Sequence, residues 1–303
     1  LSGLQRLAPD ADRQLLEMAS AKDLVKGEGC LGLFSSAKGF EDAKNSDLQE
    51  RREQGVELEF LAPEAVQELE PGLRPFHAGG VFYPNTRFTV SPVELCQRYF
   101  DQFRRNGGQM ITGELQGVAF RESGLELLLP GQRLPCSQLV VAAGVESRTL
   151  CGQLGLKMPL VCERGYHLSV ESEKSLTRPV GWLDNAVFLT PMKEGLRIAG
   201  TAEFADLDAP ADDRRSQVML KHARTMLGSE LEITSRWVGG RPSTPDSLPV
   251  IGRAPEHPRV TLAFGHGHLG MTLSAITGLL VSQLVTGQTP AVDLSPFSPV
   301  RFS

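Results

Sequence analysis

The sequence predicts a mixed α/β fold of the α+β type, in which two lobes interleave along the chain. Three observations lead to this prediction. Residues 138–143 form an apolar strand pattern followed by a helix pattern, and residues 260–264 form a second strand that leads through a glycine-rich turn into an apolar helix. Between them, residues 161–239 hold several strand patterns around one helix. A length of 303 residues suits two joined lobes better than one simple core.

The first third of the chain mixes short helix and strand patterns. Its best-defined boundary is Ser91, which can cap a helix that has Pro92 in its first turn and Glu94 completing a capping box. This helix is expected to end near Gly107. The other elements predicted here are helices at residues 11–25, 39–55 and 63–69 and strands at residues 31–34, 56–61 and 79–84.

Strand patterns dominate the rest of the chain. Residues 138–143 contain a continuous run of β-branched and small apolar residues, which predicts a strand buried on both faces. The other predicted elements are a hairpin at residues 115–129, helices at residues 147–154, 211–227 and from about 270 to 285, and strands at residues 166–170, 187–190, 196–199 and 233–239.

Composition argues against several classes of partner and site. Charged residues make up 22% of the chain, and Lys and Arg are scattered, so no basic stripe predicts nucleic-acid binding. No apolar run reaches the roughly 18 residues that a membrane span needs. The five cysteines and six histidines have no metal-ligand spacing. This predicts free thiols in a cytoplasmic protein and no metal site.

Gly265, Gly267 and Gly270 lie between the last strand and the last helix. Glycines let a ligand approach the backbone, a helix N-terminus offers free N–H groups, and Thr272 adds a hydroxyl. A purely structural turn is the alternative. The spacing matches GxGxxG, but that motif opens a βαβ unit, and too little chain follows residue 285 to build one. We therefore expect the turn to complete a cofactor site begun elsewhere.

Two further stretches are candidates for ligand contact. Ala143 and Gly144 end a strand with small residues, which leave room for a ligand, although tight packing of strand and helix is the alternative. Arg241 stands between a glycine pair and Pro242. Its guanidinium could bind a carboxylate in bidentate fashion, and a surface ion pair is the alternative.

Tyr166 and two histidines complete the candidates. Tyr166 follows Gly165 at the start of a strand, so its hydroxyl could face a pocket, and the alternative is a wall of the core. His266 and His268 flank Gly267 and could contact a ligand or only hold the turn.

Together these stretches resemble the D-amino-acid oxidase superfamily of FAD-dependent oxidoreductases, most closely its D-amino-acid dehydrogenase branch. The resemblance covers essentially the whole chain. The motifs that carry it are Gly-Gly-Val-Phe-Tyr-Pro from residue 79, Val-Val-Ala-Ala-Gly from 140, Arg-Gly-Tyr from 164, Arg-Ile-Ala-Gly-Thr-Ala-Glu-Phe from 197, Gly-Arg-Pro from 240, Gly-His-Gly-His-Leu-Gly from 265 and Thr-Leu-Ser from 272.

The resemblance implies a three-layer α/β lobe that binds FAD and a substrate lobe built on a mixed, largely antiparallel sheet. The FAD lobe would take residues 1–78, 89–154 and 250–303, and the substrate lobe residues 79–88 and 155–249. Arg241 would pair with the substrate carboxylate, and Tyr166 would lie near the flavin and the substrate. The residues expected to contact FAD are Ala143, Gly144, Gly265, His266, Gly267, His268, Leu269, Gly270 and Thr272.

One departure from the family pattern shapes the expectation for the cofactor. The family opens with a βαβ unit that bears GxGxxG and binds the ADP half of FAD, and these 303 residues contain no such segment. We therefore expect an incomplete FAD-binding lobe, no tight FAD binding by these residues alone, and no activity without the absent unit.

For the intact protein, the resemblance implies oxidation of a D-amino acid by hydride transfer to the flavin. The imino acid would then hydrolyse to a 2-oxo acid and ammonia. Quinone or another acceptor would take the electrons, in the cytoplasm or at the inner-membrane surface. The alternatives are oxidation of glycine, sarcosine or hydroxyproline, a tRNA-modifying flavoprotein, a subunit that needs a partner chain, and a non-catalytic binding module. The sequence leaves the oligomeric state open.

Overall fold

The computed structural model describes residues 1–302, which form helices and strands in a mixed α/β arrangement. The helices are α1 Ser2–Met18, α2 Ala37–Lys44, α3 Asp47–Glu53, α4 Pro63–Leu69, α5 Pro92–Arg105, α6 Ser147–Gln153, α7 Asp213–Leu227 and α8 Gly270–Val285. The strands are β1 Val25–Lys26, β2 Cys30–Phe34, β3 Glu59–Leu61, β4 Gly79–Tyr83, β5 Phe88–Thr89, β6 Gly117–Arg121, β7 Gly124–Leu129, β8 Gln132–Cys136, β9 Leu139–Val141, β10 Val161–Glu171, β11 Val180–Trp182, β12 Val187–Met192, β13 Gly195–Phe204, β14 Glu232–Ser243, β15 Val250–Ala254 and β16 His257–Phe264.

The largest sheet has eight strands in the order β14-β10-β13-β12-β11-β2-β4-β3. Its neighbours pair antiparallel except β11 and β2, which are parallel, so the expected mixed and largely antiparallel sheet is confirmed. Alternate residues of β10 and β13, such as Leu168 and Ile198, are buried against Met219 and Met226 of α7. The intervening residues therefore lie on the other face of the sheet.

The positions of β2 and β3 in this sheet differ from the predicted division into two lobes. Both strands were expected in the FAD lobe, but β2 pairs with β11 and β4, and β3 pairs with β4. Hydrogen bonding therefore places residues 30–34 and 59–61 in the sheet that residues 79–88 and 155–249 were expected to form. The rest of the division stays a prediction.

A second sheet brings two predicted strands together, in the order β15-β16-β9. β9 and β16 run parallel, with Val141 opposite Leu262. The expectation that residues 138–143 are buried on both faces is wrong, because Val140 is 38% exposed. Val141 is buried and Val140, which alternates with it, is not, so only one face of this strand is covered.

Several element boundaries differ from the sequence prediction. α1 begins at Ser2 rather than residue 11 and contains Pro9, because its apolar stripe, including Leu4 and Ala8, packs against α8. Residues 39–55 form two helices, α2 and α3, instead of one. The predicted hairpin at residues 115–129 is confirmed as β6 and β7, and β8 extends it to a three-stranded sheet.

The start of α5 follows the predicted capping in part. The Ser91 hydroxyl accepts a hydrogen bond from the Glu94 N–H at 3.3 Å, and Pro92 occupies the first turn. The Glu94 carboxylate does not accept a hydrogen bond from the Ser91 N–H, which donates to the Thr89 hydroxyl instead. The carboxylate accepts from Lys193 Nζ at 2.5 Å, so an ion pair with a neighbouring loop replaces the second half of the capping box.

Among residues 1–302, one segment, Gly267–Val285, is long and apolar enough to cross a membrane by length and composition alone. The core helix of a water-soluble protein passes the same test. Here Leu273, Ile276 and Leu280 of this segment are buried against α1 and β15. The expectation of no membrane span stays a prediction.

Candidate active site at two glycine turns

Two glycine turns meet at one edge of the β15-β16-β9 sheet. Because β9 and β16 are parallel neighbours, Gly144, which follows β9, and Gly265, which follows β16, lie at the same edge. Both glycines have positive φ, 57° and 80°. A Cβ on Gly265 would lie 2.9 Å from the Thr244 side chain, whereas a Cβ on Gly144 would meet no atom within 4 Å. Packing therefore requires glycine at residue 265, whereas Gly144 borders open space.

The N-terminus of α8 adds backbone donors beside these turns. α8 begins at Gly270, directly after the 3-10 turn Gly267–Leu269, and no side chain caps either segment. N–H groups at the start of this helical stretch that have no carbonyl partner are available to a ligand or water. Thr272 is exposed, and with Met271 it lines a cleft of about 390 Å³ against α1. Ser274 donates its hydroxyl to the Met271 carbonyl at 2.9 Å, which keeps that side chain within the helix.

The histidines of the glycine-rich turn have different surroundings. His266 Nε2 shares a 2.9 Å hydrogen bond with the Thr277 hydroxyl of α8, and burial lowers its pKa to about 4, so the ring is neutral at neutral pH. This bond ties the turn to the helix. His268 is exposed, and its Nε2 lies 3.2 Å from Glu163 Oε1. Leu269 packs against the cluster of α1 and α8.

Arg241 lies on β14 opposite Glu163 of β10. Its guanidinium lies flat over Gly165, where a Cβ would come within 2.4 Å of it. The nearest Glu163 oxygen is 3.7 Å from Arg241 Nη1, which is beyond hydrogen-bond distance, and this Nη1 is buried without a hydrogen-bond partner. A buried charged donor without an acceptor is costly, and a ligand carboxylate would satisfy it.

Glu163 joins the arginine to the glycine-rich turn. Its Oε2 accepts a 2.9 Å hydrogen bond from the Ser243 hydroxyl, and its Oε1 contacts His268. The sequence reading assigned Glu163 no role. The signal available was its position two residues before Gly165, which puts both on one face of a strand.

The end of β14 also touches both glycine turns. Ser243 forms an isolated antiparallel bridge with His266. A Cβ on Gly267 would lie 3.4 Å from the Ser243 hydroxyl. A Cβ on Gly240 would lie 3.4 Å from Val145 Cγ1, next to Gly144. The structure thus brings the two turns and the Arg241 segment together at one place.

Tyr166 does not lie with this group. It alternates with Gly165 and therefore projects to the face that α7 covers, where it is 2% exposed. Its hydroxyl donates to Glu203 Oε1 at 2.5 Å and accepts from the Asp212 N–H at 3.0 Å. The side chain is in the core and faces away from Arg241.

A metal would need other residues than these. Within the described part of the chain, no group of three or more His, Cys, Asp or Glu side chains could hold a metal ion. All five cysteines, which lie in this part, are free thiols.

Comparisons with known proteins agree with a flavin site. Residues 3–284 match the family model described as FAD dependent oxidoreductase. The chain is 31% identical to a D-amino-acid oxidase of Bradyrhizobium diazoefficiens over 309 aligned positions, which cover 100% of this chain and 73% of the relative. It is 30% identical to a D-amino acid dehydrogenase of Cereibacter sphaeroides, with 91% of this chain and 65% of the relative covered. The chain therefore spans slightly less than two thirds of that dehydrogenase.

The fold comparison leads to the same family. The crystal structure of a glycine oxidase from Geobacillus kaustophilus superimposes with a TM-score of 0.88 at 25% identity, covering 99% of this chain and 81% of that one. The protein belongs to the FAD-dependent oxidoreductase family of D-amino-acid oxidase type.

The residues present fit the flavin cofactor of this family. The space beside Gly144 is open. Gly144, Gly265 and Gly267 have positive φ, a conformation that favours glycine, and the missing side chain lets a ligand approach the backbone. The uncapped N-terminus of α8 supplies N–H groups of the kind that bind anionic or carbonyl oxygens.

Proposed function

We propose that the intact protein oxidises the amino group of a small amino acid, with Arg241 as the anchor for the substrate carboxylate. The observation that carries this proposal is the buried, unpartnered Nη1 of Arg241 beside the two glycine turns. Membership of a family of FAD-dependent amine and amino-acid oxidoreductases supports the same reaction.

Each part of the site has a role in this proposal. Ala143, Gly144 and Thr272, together with the turn from Gly265 to Gly270, hold FAD, which supplies the two-electron acceptor when bound. Arg241 fixes the substrate carboxylate and so orients the Cα–H bond. Glu163 keeps Arg241 in place from one side. Tyr166 takes no part in this proposal, because its hydroxyl bonds Glu203 and the Asp212 N–H on the opposite face of the sheet.

The reaction needs no protein base at Cα. The substrate loses two electrons and becomes an imino acid, which water hydrolyses to a 2-oxo acid and ammonia. Relatives named D-amino-acid oxidase and D-amino acid dehydrogenase support D-amino acids as substrates. We propose quinone or another electron acceptor as the final oxidant, and a location in the cytoplasm or at the inner-membrane surface.

Replacing Arg241 in the full-length protein tests the proposal. Arg241→Ala removes a bidentate, charge-assisted contact, so KM for a D-amino acid is expected to rise roughly a hundredfold. Bound flavin, measured by absorbance, should be unchanged. Arg236→Ala, an exposed arginine on the same strand, is the matched control and should leave KM unaltered. An unchanged KM in Arg241→Ala would remove Arg241 from the site.

A second candidate is oxidation of glycine, sarcosine or hydroxyproline on the same scaffold. The structural match to a glycine oxidase favours this alternative. A panel of these amines and D-alanine, with dye reduction and oxygen consumption measured side by side, separates the substrates and the acceptors. A full-length protein that never shows flavin absorbance would instead indicate a binding module.

A further inference from the structure

The sheet face that carries Arg241 continues along β10 beyond the proposed carboxylate anchor. His167 lies two residues after Gly165 on this face, and its ring stacks on that of Trp237 with centroids 4.8 Å apart and planes at 17°. Trp237 is 52% exposed, so the stack forms an open, flat wall. Burial, and secondarily the charge of Arg197, lowers the pKa of His167 to about 4, so this wall is uncharged at neutral pH.

Arg197 lies beyond this wall. It pairs with Ser169 of β10 and Thr190 of β12, and cross-strand partners share a face, so Arg197 projects from the same face as His167 and Arg241. Its Nε is buried without a hydrogen-bond partner. No carboxylate among residues 1–302 lies within ion-pair distance of its guanidinium. Burial lowers the Arg197 pKa and the charge of Glu194, in the turn before β13, opposes this shift, although the two side chains form no ion pair. Arg197 is thus a second half-buried cation, with a buried Nε that has no hydrogen-bond partner.

The two arginines lie at opposite ends of this stretch of the sheet face. The Arg241 guanidinium lies over Gly165, and the Arg197 backbone lies beside Ser169. Four residues of extended strand span about 13 Å. The charge of Arg197 helps to lower the pKa of His167, which lies between these two positions on the strand. One small carboxylate cannot contact both cations, whereas a molecule with a carboxylate at each end can.

We propose that Arg197 forms a second anion subsite, which binds the side-chain carboxylate of a dicarboxylic amino acid whose α-carboxylate is held by Arg241. This inference rests on the proposed role of Arg241. The substrate class is therefore acidic amino acids of aspartate or glutamate length, with the His167–Trp237 stack as the wall along their methylene groups.

Binding of unreactive probes to the full-length, flavin-loaded protein tests the subsite directly. Glutarate carries two carboxylates, and glutaramate has the same length with one carboxylate replaced by an amide. Calorimetry should show that Arg197→Met weakens glutarate binding tenfold to a hundredfold and changes glutaramate binding little. Arg197→Lys, which keeps the charge, should retain part of the preference for glutarate.

The control is Arg236→Met, which removes an exposed arginine whose partner, Leu168, places it on the opposite face. It should leave the preference for glutarate intact. Equal affinities for the two probes in the unaltered protein, or an equal loss for both in Arg197→Met, overturns the subsite.

Turnover then separates this inference from the proposed function. The ratio of kcat/KM for D-glutamate over D-glutamine should fall at least tenfold in Arg197→Met, with D-alanine oxidation nearly unchanged. Oxidation of neutral amino acids with an unaltered ratio contradicts only the subsite. Selective glutarate binding without flavin reduction by any amino acid contradicts only the proposed oxidation.

Discussion

At the scale of single residues, the site depends on which side chains share a strand face. Glu163, Gly165 and Arg241 lie together because alternate residues of β10 and their partners on β14 project the same way. Tyr166, one residue further, is directed into the core by the same alternation. The Arg241 guanidinium can lie flat on residue 165 only because that residue is glycine, since a side chain there would occupy the same space.

Gly165→Ala tests this arrangement. The added methyl group would lie within 2.4 Å of the Arg241 guanidinium, so the arginine must move away from its place beside the glycine turns. KM for a carboxylate substrate is expected to rise about tenfold or more, since a displacement of about an ångström in a positioning contact has effects of this order.

The control for this change is Gly152→Ala on α6, where a Cβ meets no atom within 4 Å. It should change neither KM nor flavin content. Wild-type KM in Gly165→Ala would show that Arg241 does not need its present position.

At the scale of elements, the proposed cofactor edge comes from two parallel strands that end in glycine. β9 and β16 are far apart in sequence, but their carboxyl ends are neighbours in the sheet. Open α/β sheets bind ligands at this kind of edge, because the loops there face outward and supply N–H groups. The helix that follows β16 begins uncapped at the same place.

Gly144→Ala separates backbone strain from cofactor contact. Gly144 and Gly155 both have positive φ, 57° and 75°, and a Cβ at either meets no atom within 4 Å. Each alanine substitution should cost about 1 kcal/mol of unfolding free energy. Only Gly144→Ala places a methyl group in the proposed FAD space, so only this variant should lose FAD affinity.

Fluorescence titration of the full-length apoprotein with FAD measures this affinity, and denaturant unfolding measures the shared strain. If both variants bind FAD equally well, the Gly144 turn does not contact the cofactor.

At the scale of the whole molecule, partial burial lowers the pKa of four histidines and so couples the free energy of unfolding to pH; they are His77, His167, His222 and His266. Burial lowers the pKa of His266, in the turn, and of His167, in the large sheet, from 6.5 to about 4. Between pH 4 and 6.5 these histidines therefore bind protons in the unfolded chain but stay neutral in the folded chain. Stability is fully present above pH 6.5 and falls as the pH drops toward 4.

Denaturant unfolding across this pH window should show stability decreasing, as the histidines with a lowered pKa take up protons on unfolding. His266→Gln should reduce the slope, because one of these groups is gone. A slope that is flat in the unaltered protein, or equal in the variant, would contradict neutral buried rings at these positions.

The sequence by itself determined the local features of this protein. Glycine at residues 144, 265 and 267, proline at 92 and the apolar periods set the turns, the start of α5 and most strands, because these signals act over a few residues. The family motifs, read in order, predicted the mixed sheet and the flavin, and the comparisons confirmed both.

Tertiary structure decided which face of each strand is covered. A period of two places Gly165 and Tyr166 on opposite faces, but the packing of α7, far along the chain, buries the tyrosine and leaves the other face open. The same holds for Val140, which is 38% exposed although its neighbour Val141 is buried. The physical reason is that burial is a contact between distant segments, whereas alternation is a property of one strand.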